Sequence, residues 1–403
     1  MLQSEEAARR LDVKVSTLYA YVSRGLLTSY PEPGGRRSLF ALADIEQLAR
    51  RRRSTSRVEA GMATVTTGVT QLRPDGPHYR GRPATELATH MTFEEAASLL
   101  WEAEGDGEWR SPELGECPLV LTSDRMRWAL VMCGAGDPQR ADLRHSAVQG
   151  AARRVIAALT DIVTPVAPAP APVAAPAPVA APAPGLPAPP GRALPSIAVR
   201  LAARLAGGSA GHNMSEWAAA LNAALILMAD HELATSTVAV RVAASTRADL
   251  YDALLAGLAT LAGPLHGAAS QGAYELLVQA ERFGASRALN DVLGRHESLP
   301  GFGHKVYKEG DPRFDRLWEL AQPLLSPDRC ALVLEILERA AADGVPFPNC
   351  DLALAALSWG TGMPADAGRT IFTIARIAGW TAHYQEELRE RPLRFRARAV
   401  YSV

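Results

Sequence analysis

Cysteine is scarce in this chain. Four residues in 403, Cys117, Cys133, Cys330 and Cys350, stand far apart with no CxxC pair. That spacing excludes a zinc ribbon or a disulfide framework and fits reduced thiols in a cytoplasm. The nine histidines include no HxxxH pair, so nothing in their spacing seeds a metal site. No apolar run is long enough to span a bilayer. The opening residues MLQSEEAARR are charged and read as helix, which does not suit a secretory signal peptide. Long strand patterns are missing too. What remains, 48% hydrophobic and 21% charged, is a soluble, globular composition, and 403 residues suit two or three domains.

A net charge of -1 hides an asymmetry. Residues 1–57 hold eleven Lys/Arg against six Asp/Glu, so a head of +5 precedes a body of about -6. A basic head on an acidic body suggests that only the head meets a polyanion. In the head, SEEAARRLDV puts Ala7, Ala8, Leu11 and Val13 at helical spacing. VKVSTLYAYVSRGLL follows, with Val15, Leu18, Val22 and Leu26 as one apolar stripe, Ser16 as N-cap and Gly25 as stop. EPGGRRSLF reads as a turn between short strands with Arg36 and Arg37 at its tip, and ADIEQLARRRR as a third helix. Residues 2–53 resemble the small winged helix-turn-helix heads of the MerR and excisionase type. That resemblance implies that Ser16, Thr17, Tyr19 and Tyr21 face bases or phosphates and that Arg36 and Arg37 reach the backbone or minor groove. A small protein-docking module is the other reading of the same residues.

Proline is concentrated in one place. VTPVAPAPAPVAAPAPVAAPAPGLPAPPGRALP, from Val163 to Pro195, holds twelve of the chain's 29 prolines. Such spacing forbids helix and sheet and favours extended polyproline II, so residues 164–195 read as a disordered insertion, a stiff spacer in preference to a docking ligand for a proline-binding module.

The remainder, residues 60–403, opens with a short β-like run (MATVTTGVTQL) and is otherwise rich in Ala/Leu helical patterns. The fold class expected is mainly α. Polar residues break these helices at ADHEL, GPLHG, GFGHKVYKEGDPR, PNCD and IAR. A histidine framed by glycine, as in GPLHG and GFGH, sits where backbone and ligand can approach closely. Each element alone is weak, since a lone histidine is commonly structural and an Asp after Pro-Asn is commonly a helix cap.

Together they resemble the citrate synthase family. The stretches are YRGRPATELATHMTFEEAASLLW, LNAALILMADHELATSTVAVRVAAST, GPLHGAASQGAYELL, GFGHKVYKEGDPR, PFPNCD and IFTIARIAGWTAHYQEEL, in the family's order. The resemblance implies a two-domain helical body, with a large domain over about 60–265 and 356–403 and a small one over about 266–355. It implies condensation of acetyl-CoA or propionyl-CoA with oxaloacetate, no resident cofactor (the acyl-CoA is a substrate), and a homodimer. Residue by residue, Asp351 matches the base, His266 the donor to the thioester oxygen, and His304 the donor to the oxaloacetate carbonyl. Arg313, Arg376 and Arg396 match carboxylate clamps, with Arg396 reaching the neighbouring subunit's site, and His231 matches a further oxaloacetate ligand. Lys305, Lys308 and Asn349 lie where the family meets CoA.

Four positions depart from the family pattern. Met228 stands for a histidine, Ala234 and Ser270 each for an asparagine, and Ala397 for a proline. They motivate an alternative, in which the synthase-like body senses metabolites and the head binds DNA as a regulator. Acetyl and propionyl substrates differ by one methyl group, which pocket shape decides.

Overall fold

The computed structural model describes residues 1–11, 13–23, 27–31, 38–46, 48, 65–105, 107–164, 194–206, 214–263, 266–267, 269–294, 298–396 and 401, without the side chains of residues 16, 20, 23 and 31. Arg36, Arg37, Ala397, the side chain of Ser16 and nearly all of the Pro/Ala insertion therefore lie outside the described residues. The chain divides into two compact units, Met1–Thr66 with Phe395–Val403, and Thr67–Arg394.

In the first unit, helix Ser4–Leu11 carries Glu5 and Glu6 in its first turn and Arg9 and Arg10 in its last, which matches the helix dipole at both ends. Helix Val15–Ser23 follows. Its first carbonyl is that of Lys14, which accepts the Thr17 and Leu18 amides at 2.9 and 3.2 Å. Ser16 thus lies inside the first turn and not at the N-cap expected for it. Strands Ser29–Pro31 and Ser38–Phe40 pair antiparallel as the expected wing. Leu2–Gln3 adds a third strand, with Leu2 opposite Phe40, where the sequence suggested helix. Two residues carry no periodicity to read. Leu2, Ala7, Ala8, Leu11, Leu18, Leu27, Phe40 and Ile45 form the core. Val15 is 37% exposed and leaves the expected stripe.

The second unit opens with a hairpin, Thr70–Arg73 paired with Gly76–Tyr79, to which Arg82–Pro83 adds. Helices follow. Their starts are written locally: Thr92 and Glu95 form a capping box for Phe93–Trp101, Asp249 caps Leu250–Leu261, and Ser326 with Pro327 begins Pro327–Ala342. The longest helix, Ala367–Leu388, spans 22 residues and is buried along most of its length. Phe93–Trp101, His145–Asp161, Met214–Met228, Thr235–Ser245 and Leu250–Leu261 pack around it. A second group, Ala269–Phe283, Pro312–Ala321 and Cys350–Gly360, packs together beside it.

The Pro/Ala insertion joins helices His145–Asp161 and Ile197–Leu205, which pack on each other. Arg200 donates to Asp161 at 2.5 Å across that joint and to the Trp109 carbonyl at 2.7 Å. With both ends pinned, chain length between them costs little, because loop-closure entropy grows only slowly with length. Among the described residues no helix is long and apolar enough to cross a membrane.

Candidate active site

The site is built on two chain reversals tied together. Gly301 and Gly303 adopt φ of +84° and +71°, a region that favours glycine. The Gly303 amide donates to the Phe347 carbonyl at 2.7 Å and the Asn349 amide donates to the Gly301 carbonyl at 2.9 Å. Asn349 then caps helix Cys350–Gly360: its Oδ1 accepts the Asp351 amide at 2.9 Å, while its Nδ2 donates to the Gly303 carbonyl at 2.8 Å. One amide side chain thus fixes Asp351 and the residue before His304 to each other. Both its ends are engaged inside the protein, which gives Asn349 a positioning job.

His304 has its tautomer set by backbone. Its Nδ1 lies 3.0 Å from the Val306 amide and 3.3 Å from the Tyr307 amide, both of which can only donate. The ring proton must then sit on Nε2. Burial first, and the Arg313 charge second, pull its pKa down to about 4, so the ring is neutral at pH 7. Tyr307 stacks on it at 4.6 Å between ring centres and also holds His231, whose Nε2 is 3.1 Å from the Tyr307 hydroxyl. The His231 and His304 rings meet edge to face at 5.1 Å. Burial, then the charges of Arg313 and Arg376, push His231 well below its ordinary pKa.

Arg313 lies in the first turn of helix Pro312–Ala321, capped by Asp311. Asp311 accepts from Arg313 Nε and Nη2 at 2.9 and 2.8 Å, from the Arg313 amide at 3.1 Å, and from the Cys350 amide at 3.0 Å. It joins the arginine to the helix that carries Asp351. Arg376, on helix Ala367–Leu388, donates from Nε to the Met228 carbonyl at 3.0 Å and lies over the Phe372 ring. His266 follows helix Leu250–Leu261, and its Nε2 is 2.7 Å from Ser236 Oγ. Burial, then Arg376 and Lys305, lower its pKa. Burial raises the Asp351 carboxyl to about 6, against the pull of Arg313 and Arg376. The two arginines are the shared neighbours: Arg313 acts on His231, His304 and Asp351, and Arg376 on His231, His266 and Asp351. So His231, His266, His304, Arg313, Asp351 and Arg376 share one electrostatic environment, three neutral imidazoles and a raised carboxyl under the charges of two buried guanidiniums.

Lys305 and Lys308 are exposed, with Lys308 Nζ donating to the Lys305 carbonyl at 2.8 Å. Arg396 is exposed and belongs to the first compact unit. In the head, Tyr19 is 42% exposed, its hydroxyl 3.0 Å from Ser4 Oγ. Thr17 is half-buried, and Tyr21 packs against the head's core. Sequence reasoning missed Ser236, Tyr307 and Asp311. Asp311 had a signal, because an Asp directly before Pro reads as N-cap and first helical position. Among the described residues no group of three His, Cys, Asp or Glu could hold a metal ion.

Comparison with known proteins identifies the family. The family model described as citrate synthase, C-terminal domain, matches residues 59–398, and one described as a helix-turn-helix domain matches residues 1–53. A 2-methylcitrate synthase of Mycobacterium tuberculosis is 28% identical over 360 residues, 81% of this chain and 86% of its own. Citrate synthase 2 of Bacillus subtilis is 35% identical over 188 residues, covering 45% of this chain and 50% of its own. The solved citrate synthase of Thermoplasma acidophilum, a ternary complex with carboxymethyl coenzyme A and oxaloacetate, superposes with a TM-score of 0.67 at 22% identity, over 86% of this chain and 96% of that one. The chain belongs to the citrate synthase family, and it carries a helix-turn-helix domain at its N-terminus.

Proposed function

We propose that this enzyme condenses acetyl-CoA or propionyl-CoA with oxaloacetate, giving citrate or 2-methylcitrate and free CoA. Asp351 takes a proton from the carbon next to the thioester carbonyl. A carboxyl raised to about 6 is a stronger base than an ordinary one and still ionised at pH 7. In this reading the Ser236 hydroxyl, 2.7 Å away, donates to Nε2, which leaves the His266 proton on Nδ1 to meet the enolate oxygen as charge forms there. The enolate carbon then attacks the oxaloacetate ketone carbon, and the ketone oxygen takes the Nε2 proton of His304. Arg313 and Arg376, with His231, grip the two carboxylates. Water finally splits the thioester and releases CoA.

The observation that carries this reading is His304. Two backbone amides hold its Nδ1, so the neutral ring can only present an N–H to a substrate oxygen. Lys305 and Lys308, both exposed, suit CoA phosphates. A homodimer completing each site with Arg396 is part of the proposal. Exposed apolar residues along 119–132, with Val120 at 89%, Leu121 at 66% and Val131 at 51%, support a covered face.

The test mixes purified protein with oxaloacetate and each thioester and follows free CoA thiol, with Asp351→Ala as the blank. Thiol release that vanishes in the variant is the expected result, and the ratio of the two thioesters names the product. No release from a folded dimer would overturn the proposal. The helix-turn-helix match favours a second role for the head, DNA binding through Thr17, Tyr19 and their neighbours. Sequence-specific, salt-dependent retention of an upstream fragment would support it, and equal binding to random DNA would sink it.

A further inference from the structure

Behind His231 lies a buried chain of charges that the chemistry above does not use. One face of helix Ala367–Leu388 carries Arg376, Gly379, His383 and Glu387, three or four residues apart. That face lies against the turn that ends helix Met214–Met228. Gly379 permits the approach: its amide donates to the Ala229 carbonyl at 3.1 Å, and a Cβ there would stand 2.3 Å from Asp230 Oδ1. Four residues on, His383 Nε2 meets Asp230 Oδ2 at 3.2 Å. Both side chains are fully buried.

The direction of this chain can be worked out. Arg241 Nη1 lies 3.0 Å from His383 Nδ1, and a guanidinium can only donate. The His383 proton is therefore on Nε2 and points at Asp230. Arg241 is held in turn by Glu386 and Glu387, at 2.5 and 2.9 Å, and Glu387 also takes both arms of Arg394 at 2.7 and 2.6 Å. Arg241 Nη2 is buried with no partner among the described residues. A network kept only for stability would do better as packed hydrocarbon than as buried charge with an unpaired donor.

What the chain holds is the turn bearing His231. Asp230 Oδ2 also accepts the Glu232 amide at 3.0 Å, and Glu232 adopts φ +56°. His231 stands between these two residues, in a backbone bend that the Asp230 carboxylate clasps. The same carboxylate is the buried counter-charge to Arg376. We propose that His383 is a positioning residue for the dicarboxylate substrate, locking Asp230 and through it both His231 and Arg376.

The inference rests on the oxaloacetate reading of the site. Burial pushes the Asp230 carboxyl up, and His383 with Arg376 more than offsets it, keeping the carboxyl ionised. Thr70 and Tyr79 are further polar side chains beside it. Without the His383 donor, Asp230 takes up a proton more readily, and the turn and the Arg376 counter-charge slacken together.

The test compares His383→Asn with His383→Gln. Asparagine can accept from Arg241 but is too short to reach Asp230, whereas glutamine can accept from the one and donate to the other. For His383→Asn we expect KM for oxaloacetate and its calorimetric Kd to rise about tenfold or more, with kcat changing much less. Its KM should improve as pH rises, because Asp230 regains its charge. His383→Gln should restore KM to within about threefold. Loss of kcat and KM in parallel in both variants, or unchanged KM in His383→Asn, would overturn the proposal. Absence of thiol release from the unmodified protein would instead overturn the synthase reading. Nitrogen-15 shifts of the histidine rings read the tautomer in the unmodified protein, and a proton on His383 Nδ1 would refute the inference even if no variant folds.

Discussion

The raised Asp351 carboxyl ties activity to stability in a way that can be measured. Burial lifts it from 3.8 to about 6, so the folded protein holds this proton more tightly than the unfolded chain does. Stability therefore falls as pH rises through that window, and above it the protein carries the full cost of a buried charge. At about 1.4 kcal/mol per pH unit the displacement sets a limit of ~3 kcal/mol. The residue keeps partial exposure and sits in the first turn of a helix, so screening and the dipole trim this to about 2 kcal/mol. Asp351→Asn removes the charge while keeping the shape. We expect it to abolish thiol release and to stabilise the Thr67–Arg394 unit by about 2 kcal/mol near pH 7.5, a gain that falls by about half near pH 5. All seven tryptophans lie between Trp101 and Trp380, so guanidinium unfolding followed by tryptophan fluorescence reports this unit. A variant no more stable at pH 7.5, or equally stabilised at both pH values, would refute the reasoning.

Three further outcomes follow from the same geometry. Asn349→Ala drops the cap on the Asp351 amide and the tie to Gly303; we expect a loss of about 2 kcal/mol in unfolding and a fall in kcat larger than any change in oxaloacetate KM. Asp311→Ala leaves the buried Arg313 without its carboxylate, at about 3–5 kcal/mol by denaturant unfolding, and the Cys350 amide without its acceptor. In the unmodified enzyme, kcat/KM should rise with pH through a single limb near 6, set by Asp351, since His304 at about 4 is already neutral there. A limb that disappears in His304→Gln would assign it to the wrong group.

How far the sequence could be read differs between residues. GFGHKVYKEGDPR announced the turn that carries His304, because glycines, a histidine and an arginine have little reason to meet in a core. The helical body was legible from the spacing of Ala and Leu. Asn349 was not, because an asparagine before a helix caps it in either reading, and only the contact with Gly303 shows that its other end is taken. Ser236 and Tyr307 act on His266 and His231 from 30 and 76 residues away, and no local pattern encodes such distances. In the head, Val15 and Tyr21 exchanged expected faces, since a nine-residue helix gives too few turns for its apolar stripe to be unambiguous.

The departures from the family pattern weigh differently once their surroundings are seen. Met228 meets Arg376 through its carbonyl, which any residue supplies, and its side chain is fully buried. Ser270 faces Gly368, where a Cβ would already come within 3.1 Å, so a larger residue at 270 would crowd that helix contact. Ala234 is different. It stands at the N-cap of helix Thr235–Ser245 with φ -55° and ψ 155° and no side-chain bond to the free amides. An asparagine there would add about 1 kcal/mol of capping. Two residues on, Ser236 sets the His266 ring. The missing cap therefore loosens the segment that positions His266, the proposed enolate donor, and leaves Arg313, Arg376 and His231 on their own supports. Under the proposed mechanism, we expect any deficit from Ala234 in the proton-abstraction step and not in oxaloacetate binding.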